Sequence, residues 1–317
     1  MTIGIALSPF ALDAPGNAVD TAVSLGESAL AAGVSSVWFG QTLSYDAIAL
    51  AGIVGRAVPG LTVGTSAVPI TARHPLLISS QAQTAQAATG GRFTLGLGLG
   101  AKFLADPVFG GFGGSFDRPI TRLREFLTAL RTVLHTGTVD FHGETLTAAT
   151  PLPAAVAGAH PPAPILVAAM GPQALRVTGE LADGTLPFLV GPKALAEHIV
   201  APLTAAAERA GRPAPRITVL VPGVITADLD AARAAAAAQT TFYDDIPSYA
   251  RVIELSGASR AAELVVIGDE DLIAARVAEY FAAGATEVVF SQTDLTTPED
   301  QRRTWAVLGE LQRSQVG

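Results

Sequence analysis

The residues with the clearest chemical meaning in this chain are first defined by what they lack. In GRFTLGLGLG, residues 91–100, Gly96, Gly98 and Gly100 stand at alternate positions within an apolar run. Alternation places all three on one face of a strand, where each glycine costs roughly 0.5–1 kcal/mol relative to alanine. A flat ligand, or a second backbone, needs that face bare. The stretch Gly96-Leu97-Gly98-Leu99-Gly100-Ala101 also fits the G-x-G-x-x-A dinucleotide fingerprint. That fingerprint must open a helix, and here the proline- and glycine-laden DPVFGGFGGSFDRP follows instead. The reading without a ligand is that small residues inside a barrel make room for bulky neighbours on adjacent strands.

AAMGPQAL, residues 168–175, passes from a buried strand into a helix through Gly171 and Pro172. Proline suits a first helical turn, and the free N–H groups of that turn, helped by the helix dipole, make an anion site. Asp183-Gly184 in LADGTLPF reads as a turn into the next strand rather than a catalytic carboxylate. The five histidines, His74, His135, His142, His160 and His198, include no pair at metal-ligand spacing. No G-x-S-x-G elbow offers a serine nucleophile. The absence of cysteine excludes disulfides, thiolate metal sites and a cysteine nucleophile together.

These residues hang on short β-like runs that alternate with helical stretches, the pattern of parallel βα units. Strands are expected in IGIAL, SSVWFG, LTVGTSAVP, the glycine stretch, ILVAAM, DGTLPFLV, ITVLVPGVIT and TEVVFSQ. Eight strands, each followed by a helix, make a (β/α)8 TIM barrel of the α/β class, spanning 1–317 as one domain. Such barrels carry their active sites at the carboxyl ends of the strands. One insertion follows strand 4: a long loop, a helix in ITRLREFLTALRTVLHTG, the hairpin VDFHGETL and the proline-rich TPLPAAVAGAHPPAP. A second lies between strands 7 and 8, residues 226–285, with two or three helices. AARAAAAAQ within it reads as helix, because alanine is the best helix former.

A chain of 317 residues, 49% hydrophobic, buries a large core, and its net charge of −8 disfavours nucleic acid and anionic membranes as partners. A small-molecule substrate is the expected partner. MTIGIALSPF carries no cationic segment leading a long apolar one, and no apolar run approaches a membrane span, so a cytoplasmic protein is expected.

AAGVSSVWFGQ, GLTVGTSAVPITARHPLLISSQAQTAQAATGGRFTLGLGLG, PPAPILVAAMGPQALRVTGELADGTLPF and FAAGATEVVF, taken in order, resemble the bacterial luciferase-like family of flavin- and deazaflavin-dependent oxidoreductases. Within it, the chain looks most like the actinobacterial group that uses coenzyme F420. The resemblance implies F420 as cofactor, with FMN the alternative. It also implies a non-proline cis peptide under the deazaflavin ring, whose matching pair is Ser66-Ala67. Gly40, Leu99 and Gly100 should border the cofactor, and Ala168, Ala169, Met170, Gly171, Pro172, Gln173 and Ala174 should hold its phosphate. Relatives commonly form dimers, so a homodimer is expected.

Many relatives carry an acidic residue and a histidine after the second strand, and the sugar-phosphate dehydrogenases of the family pair that histidine with a glutamate after the fourth. Here those positions read Gly40, Gln41 and Ala101. The proton-handling groups of alcohol oxidation are thus missing, which points to hydride transfer from reduced cofactor to an electron-poor C=C or C=N bond. Gln41 is the expected substrate-orienting residue, and Phe10, Phe39, Phe103, Phe112 and Phe188 are expected to wall an apolar pocket. Two alternatives stand beside this reading: a monooxygenase using reduced FMN and oxygen, and a cofactor-binding protein without catalysis.

Overall fold

The apolar runs form strands that close into a ring. The computed structural model describes residues 1–13, 15–100 and 117–314. Its strands are β1 (Thr2–Leu7), β2 (Ser36–Phe39), β3 (Thr62–Thr65), β4 (Val68–Pro69), β5 (Phe93–Gly98), β6 (Asp140–His142), β7 (Thr147–Ala149), β8 (Ile165–Ala168), β9 (Gly184–Thr185), β10 (Arg216–Ile225), β11 (Val266–Gly268) and β12 (Glu287–Ser291). Eight of them pair in parallel in the order β1-β2-β3-β5-β8-β9-β10-β12. The ring closes where Thr2 lies beside Glu287 and where Arg216 lies beside Gly184.

Helices cover the outside of the ring: α1 (Ala18–Ala32), α2 (Ala47–Ala57), α3 (Pro75–Ala88), α4 (Pro119–Thr136), α5 (Pro172–Leu181), α6 (Ala201–Arg209), α7 (Leu229–Asp244), α8 (Pro247–Leu255), α9 (Glu270–Ala282) and α10 (Pro298–Ser314). The starts of α1, α2 and α7 are set by short polar side chains that accept first-turn amides: Asn17 from Val19, Asp46 from Ala49 and Asp228 from Ala231. The insertion after β5 contains α4 and the antiparallel β6–β7 hairpin. Glu125 of α4 grips that hairpin by accepting the amides of Glu144, Thr145 and Leu146 and the Thr145 hydroxyl. The second insertion carries three helices, α7, α8 and α9. It also carries β11, which pairs with the far end of β10 and was not legible as a separate apolar run.

Side chains alternate inward and outward along each strand. Outward residues, Ile3, Val37, Phe39, Val63 and Leu95 among them, join the helices in the main core. Ala6, Trp38, Leu166, Leu186, Leu220 and Val289 fill the barrel itself. Below them Glu287, 4% exposed, is held by a ring of donors. Ser36 Oγ at 2.5 Å and Trp38 Nε1 at 3.0 Å donate to Oε1, while Thr218 Oγ1 at 3.0 Å and Arg216 Nη2 at 3.5 Å reach Oε2. The barrel floor is therefore a satisfied polar plug, as a buried carboxylate requires.

The third strand is broken where LTVGTSAVP suggested continuity. β3 stops at Thr65, the Ser66–Ala67 peptide is cis, and β4 resumes the pairing with β5. Thr65 replaces the lost ladder bonds with its side chain. Its Oγ1 donates to the Gly96 carbonyl and accepts the Gly96 amide, both at 2.9 Å. Gly96 must be glycine because a Cβ there would collide with the Thr65 carbonyl oxygen.

Candidate functional site

At the carboxyl rim, four adjacent strands end in residues with almost no side chain. Gly40 follows β2, Ala67 sits in the break after β3, Gly98 ends β5 and Ala168 ends β8, and all four are half-exposed. A Cβ built on Gly98 would lie 3.7 Å from the Ala67 Cβ and 3.9 Å from the Ala168 Cβ, ordinary contact distances. One on Gly40 would have only the Ser66 carbonyl oxygen, at 3.8 Å, as neighbour. Unlike Gly96, then, Gly98 and Gly40 are not required by the protein's own packing. Together with Ala67 and Ala168 they make a shallow, flat floor.

Beside that floor lies the start of α5. No side chain caps this helix, whose N-cap is Gly171, and a Cβ at Gly171 would meet nothing within 4 Å. The first-turn amides of Gln173 and Ala174 have no intrahelical acceptor, and the helix dipole favours negative charge there.

An aromatic wall rises on another side. The Phe188 ring stands edge-on to Tyr243 at 5.3 Å and to Tyr249 at 6.2 Å, and the two tyrosines are 4.7 Å apart. Phe188 also packs on the residues filling the barrel, so it joins the barrel mouth to the insertion that supplies α7 and α8. Burial pushes the phenol of Tyr249 well up, with Tyr243 adding to the effect, and burial raises Tyr243 as well. Both stay neutral at physiological pH.

The profile of the luciferase-like monooxygenase family matches residues 1–287. The chain belongs to that family. Among luciferase-like relatives, a 5,10-methylenetetrahydromethanopterin reductase of Methanolobus tindarius is 28% identical over 208 residues, covering 65% of this chain but only 61% of its own length. A protein of Mycobacterium tuberculosis provisionally named coenzyme F420-dependent oxidoreductase Rv3520c is 26% identical over 340 residues, covering 91% of this chain and 94% of its own. Among solved structures, the coenzyme F420 dependent tetrahydromethanopterin reductase from Methanopyrus kandleri has the same fold. It superposes with a TM-score of 0.76 at 20% identity over 100% of this chain and 99% of its own.

Within this luciferase-like barrel the residues expected from the sequence divide sharply. Gly40, Ser66, Ala67 and Ala168 come together at the rim, and Gly171, Pro172 and Gln173 surround the open turn. Ala169, Met170 and Ala174 are instead buried in the outer core, holding the turn from behind. Leu99 is half-buried, and its carbonyl accepts Thr71 Oγ1 at 2.8 Å. Gly100, at φ 82°, is exposed beside it.

Gln41 has a different occupation from the one expected. Its amide nitrogen donates to the carbonyls of Thr42 at 2.6 Å and Tyr45 at 2.7 Å, and its oxygen accepts the Ala47 amide at 3.2 Å. A carboxamide has two donor hydrogens, both used here, so Gln41 shapes the loop into α2 and has none left to offer a substrate.

Phe39 is corrected outright. It is 1% exposed in the outer core, because on β2 its neighbour Trp38 takes the inward position. Phe10 is 65% exposed beyond β1, Phe188 is in the wall, and Phe103, Phe112 and Ala101 lie outside the described residues. Gly98 belongs to the glycine face that the sequence marked as bare, yet it was not named beside Leu99 and Gly100 as a cofactor residue, and it is the one of the three glycines that lies in the floor. Sequence reasoning missed Tyr243 and Tyr249, whose only signal was two of the chain's four tyrosines lying close together in TTFYDDIPSY. Among the described residues no group of His, Asp and Glu can hold a metal ion, and no helix is long and apolar enough to cross a membrane.

Proposed function

We propose that this protein is a coenzyme F420-dependent oxidoreductase, and that its reduced cofactor delivers hydride to an electron-poor C=C or C=N bond of a small organic substrate. The observation that carries the reading is the bare floor of Gly40, Ala67, Gly98 and Ala168 set beside the uncapped start of α5. A flat tricyclic ring fits a floor without projecting side chains. A phosphate on its side arm fits the amides of Gln173 and Ala174. The relatives named for F420 in Mycobacterium tuberculosis and Methanopyrus kandleri support this cofactor over a flavin.

When bound, reduced F420 supplies the hydride. The chain's part is to hold, orient and exclude water. Phe188, Tyr243 and Tyr249 present an apolar, uncharged wall against which a planar substrate stacks. Gly40 has no side chain, and the Gln41 donors are committed to the loop. These two rim positions therefore offer no acid or base for oxidising an alcohol, which favours the reductive direction with solvent as proton source.

The test is to titrate the protein with F420 and with FMN, then follow oxidation of reduced F420 by cyclohex-2-enone and by 1-pyrroline. The expected result is at least tenfold tighter binding of F420 and turnover of one or both acceptors. Preference for FMN with oxygen uptake would establish the second reading, a flavin monooxygenase, which the description of the family itself favours. Oxidation of a secondary alcohol by oxidised F420 would reverse the proposed direction.

A further inference from the structure

On the outside of the barrel, α9 and α10 meet water with charged side chains, four on one and six on the other. α2 and α3 do not. α3 has no charged residue in its fourteen, and α2 has only Arg56. Two large apolar side chains project from this surface instead, Ile53 of α2 at 44% exposure and Leu77 of α3 at 66%. Between the helices runs an open groove of about 620 Å³, with Ala49 and Ile53 on one bank and Gln81, Thr84 and Ala88 on the other. A solvated helix presents a polar outer face, so an uncharged pair with projecting isoleucine and leucine is a surface shaped to be covered.

The two helices are drawn close at Gly52, where an added Cβ would lie 3.4 Å from both Cα and Cβ of Ala85. The α2 bank of the groove carries charge only at its ends. Asp46, at the amino end, caps the helix through the Ala49 amide and has Arg73 at 3.7 Å, beyond hydrogen-bond reach. Arg56, at the other end, is exposed and forms no ion pair among the described residues. Asp46 and Arg56 are equidistant from residue 51, and so are Ala49 and Ile53. A two-fold axis at that level lays an antiparallel copy of α2 across the groove. Each Arg56 then meets an Asp46, and each Ile53 settles over an Ala49, a large side chain against a small one. Because Gly52 lies against Ala85, the same axis crosses α3 near Thr84.

From this we infer that the α2–α3 face binds a second copy of this chain, with α2 antiparallel to α2 of the partner subunit and Arg56 paired with Asp46 of the partner subunit. The choice of occupant rests on self-complementarity. In a two-fold interface residue i meets j and j meets i, and the acid, the base, the large and the small residue of α2 are placed for that pairing. An unrelated partner imposes no symmetry about the middle of one helix. The face lies outside the barrel, so the inference is independent of the proposed reaction.

Sedimentation velocity of the full chain at micromolar concentrations tests this. The parent should sediment as a dimer, and Ile53→Glu and Arg56→Glu should each weaken the dimer at least tenfold. Both side chains are exposed, so the variants should keep the parent's circular dichroism, which separates lost association from lost folding. Leu272→Glu, which charges an exposed leucine of α9, should leave the dimer intact. The chain has no cysteine, so Thr84→Cys creates one thiol per copy, and oxidation with diamide should join two copies across the axis. A monomeric parent, a dimer that survives Ile53→Glu or Arg56→Glu, or one that Leu272→Glu breaks as readily, overturns the inference. A dimer that Ile53→Glu and Arg56→Glu break but Thr84→Cys fails to cross-link overturns the antiparallel arrangement.

Discussion

Replacing Gly98 separates a glycine that serves a ligand from one that serves the fold. At Gly98 a Cβ would make only ordinary contacts, 3.7 Å and 3.9 Å, with Ala67 and Ala168. Gly98→Ala therefore fits the strand, and removing a strand glycine stabilises it by about 0.5–1 kcal/mol. At Gly96 the same atom would strike the Thr65 carbonyl oxygen and come within 2.8 Å of Leu186 Cδ2. Backbone cannot yield as a side-chain tip does, so Gly96→Ala should cost about 1–3 kcal/mol through overpacking. For a ring lying on the floor, the effects reverse. A Cβ at position 98 stands about 1.5 Å above the backbone, enough to lift a stacked ring out of the roughly 3.5–4.0 Å contact range. Gly98→Ala should weaken F420 binding at least tenfold, about 1.4 kcal/mol, and Gly98→Val should weaken it further. Thermal denaturation and fluorescence titration of F420 read the two effects separately. A Gly98→Val protein that binds F420 as tightly as the parent, or a Gly96→Ala protein as stable as the parent, refutes the reasoning.

Three further outcomes follow from the hydrogen bonds. Although burial pushes the Glu125 carboxyl up, the Thr145 hydroxyl and the amides of Glu144, Thr145 and Leu146 bring it net below its ordinary value of 4.5. Its contribution is thus complete above pH 4.5 and is lost as pH falls through the lower folded value. Hydrogen exchange in residues 143–146 should rise in that acid window, and Glu125→Gln should abolish the pH dependence. Gln41→Ala should destabilise the loop into α2 by roughly 1–3 kcal/mol, seen as a lower thermal midpoint, with the pH profile of turnover unchanged. Glu287→Ala should cost about 3–5 kcal/mol, because it strands Arg216 and three neutral donors at the barrel floor. Denaturant unfolding measures that loss, and a change below 1 kcal/mol would contradict the plug.

The barrel was legible because eight apolar runs separated by helical periodicity leave few other ways to bury both faces of each strand. The open turn at Gly171-Pro172 was equally readable, being local chemistry. What failed depended on direction and on distance. Phe39 and Trp38 are adjacent large aromatics, and only the register of β2 in the closed ring decides which faces inward. Gln41 was read as free because its partners, Thr42, Tyr45 and Ala47, are backbone groups, and a sequence does not show which backbone groups are left unpaired. The tyrosine wall joins Phe188 to residues more than fifty positions later, a contact that no short-range pattern encodes. The glycine stripe gave the right question with a mixed answer: Gly96 is bare for the Thr65 backbone, and Gly98 for space above the rim.

The pairing of β1 with β12 has a consequence for biosynthesis. Thr2 is made 285 residues before its neighbour Glu287. Until then β1 has an unpaired edge, and the carboxylate that neutralises Arg216 and satisfies Trp38 is missing. Nascent chains halted before that point display an open sheet lip, the sort of edge on which strands of other molecules add. Ribosome-stalled intermediates of this protein should therefore depend on holding chaperones until the last strand arrives.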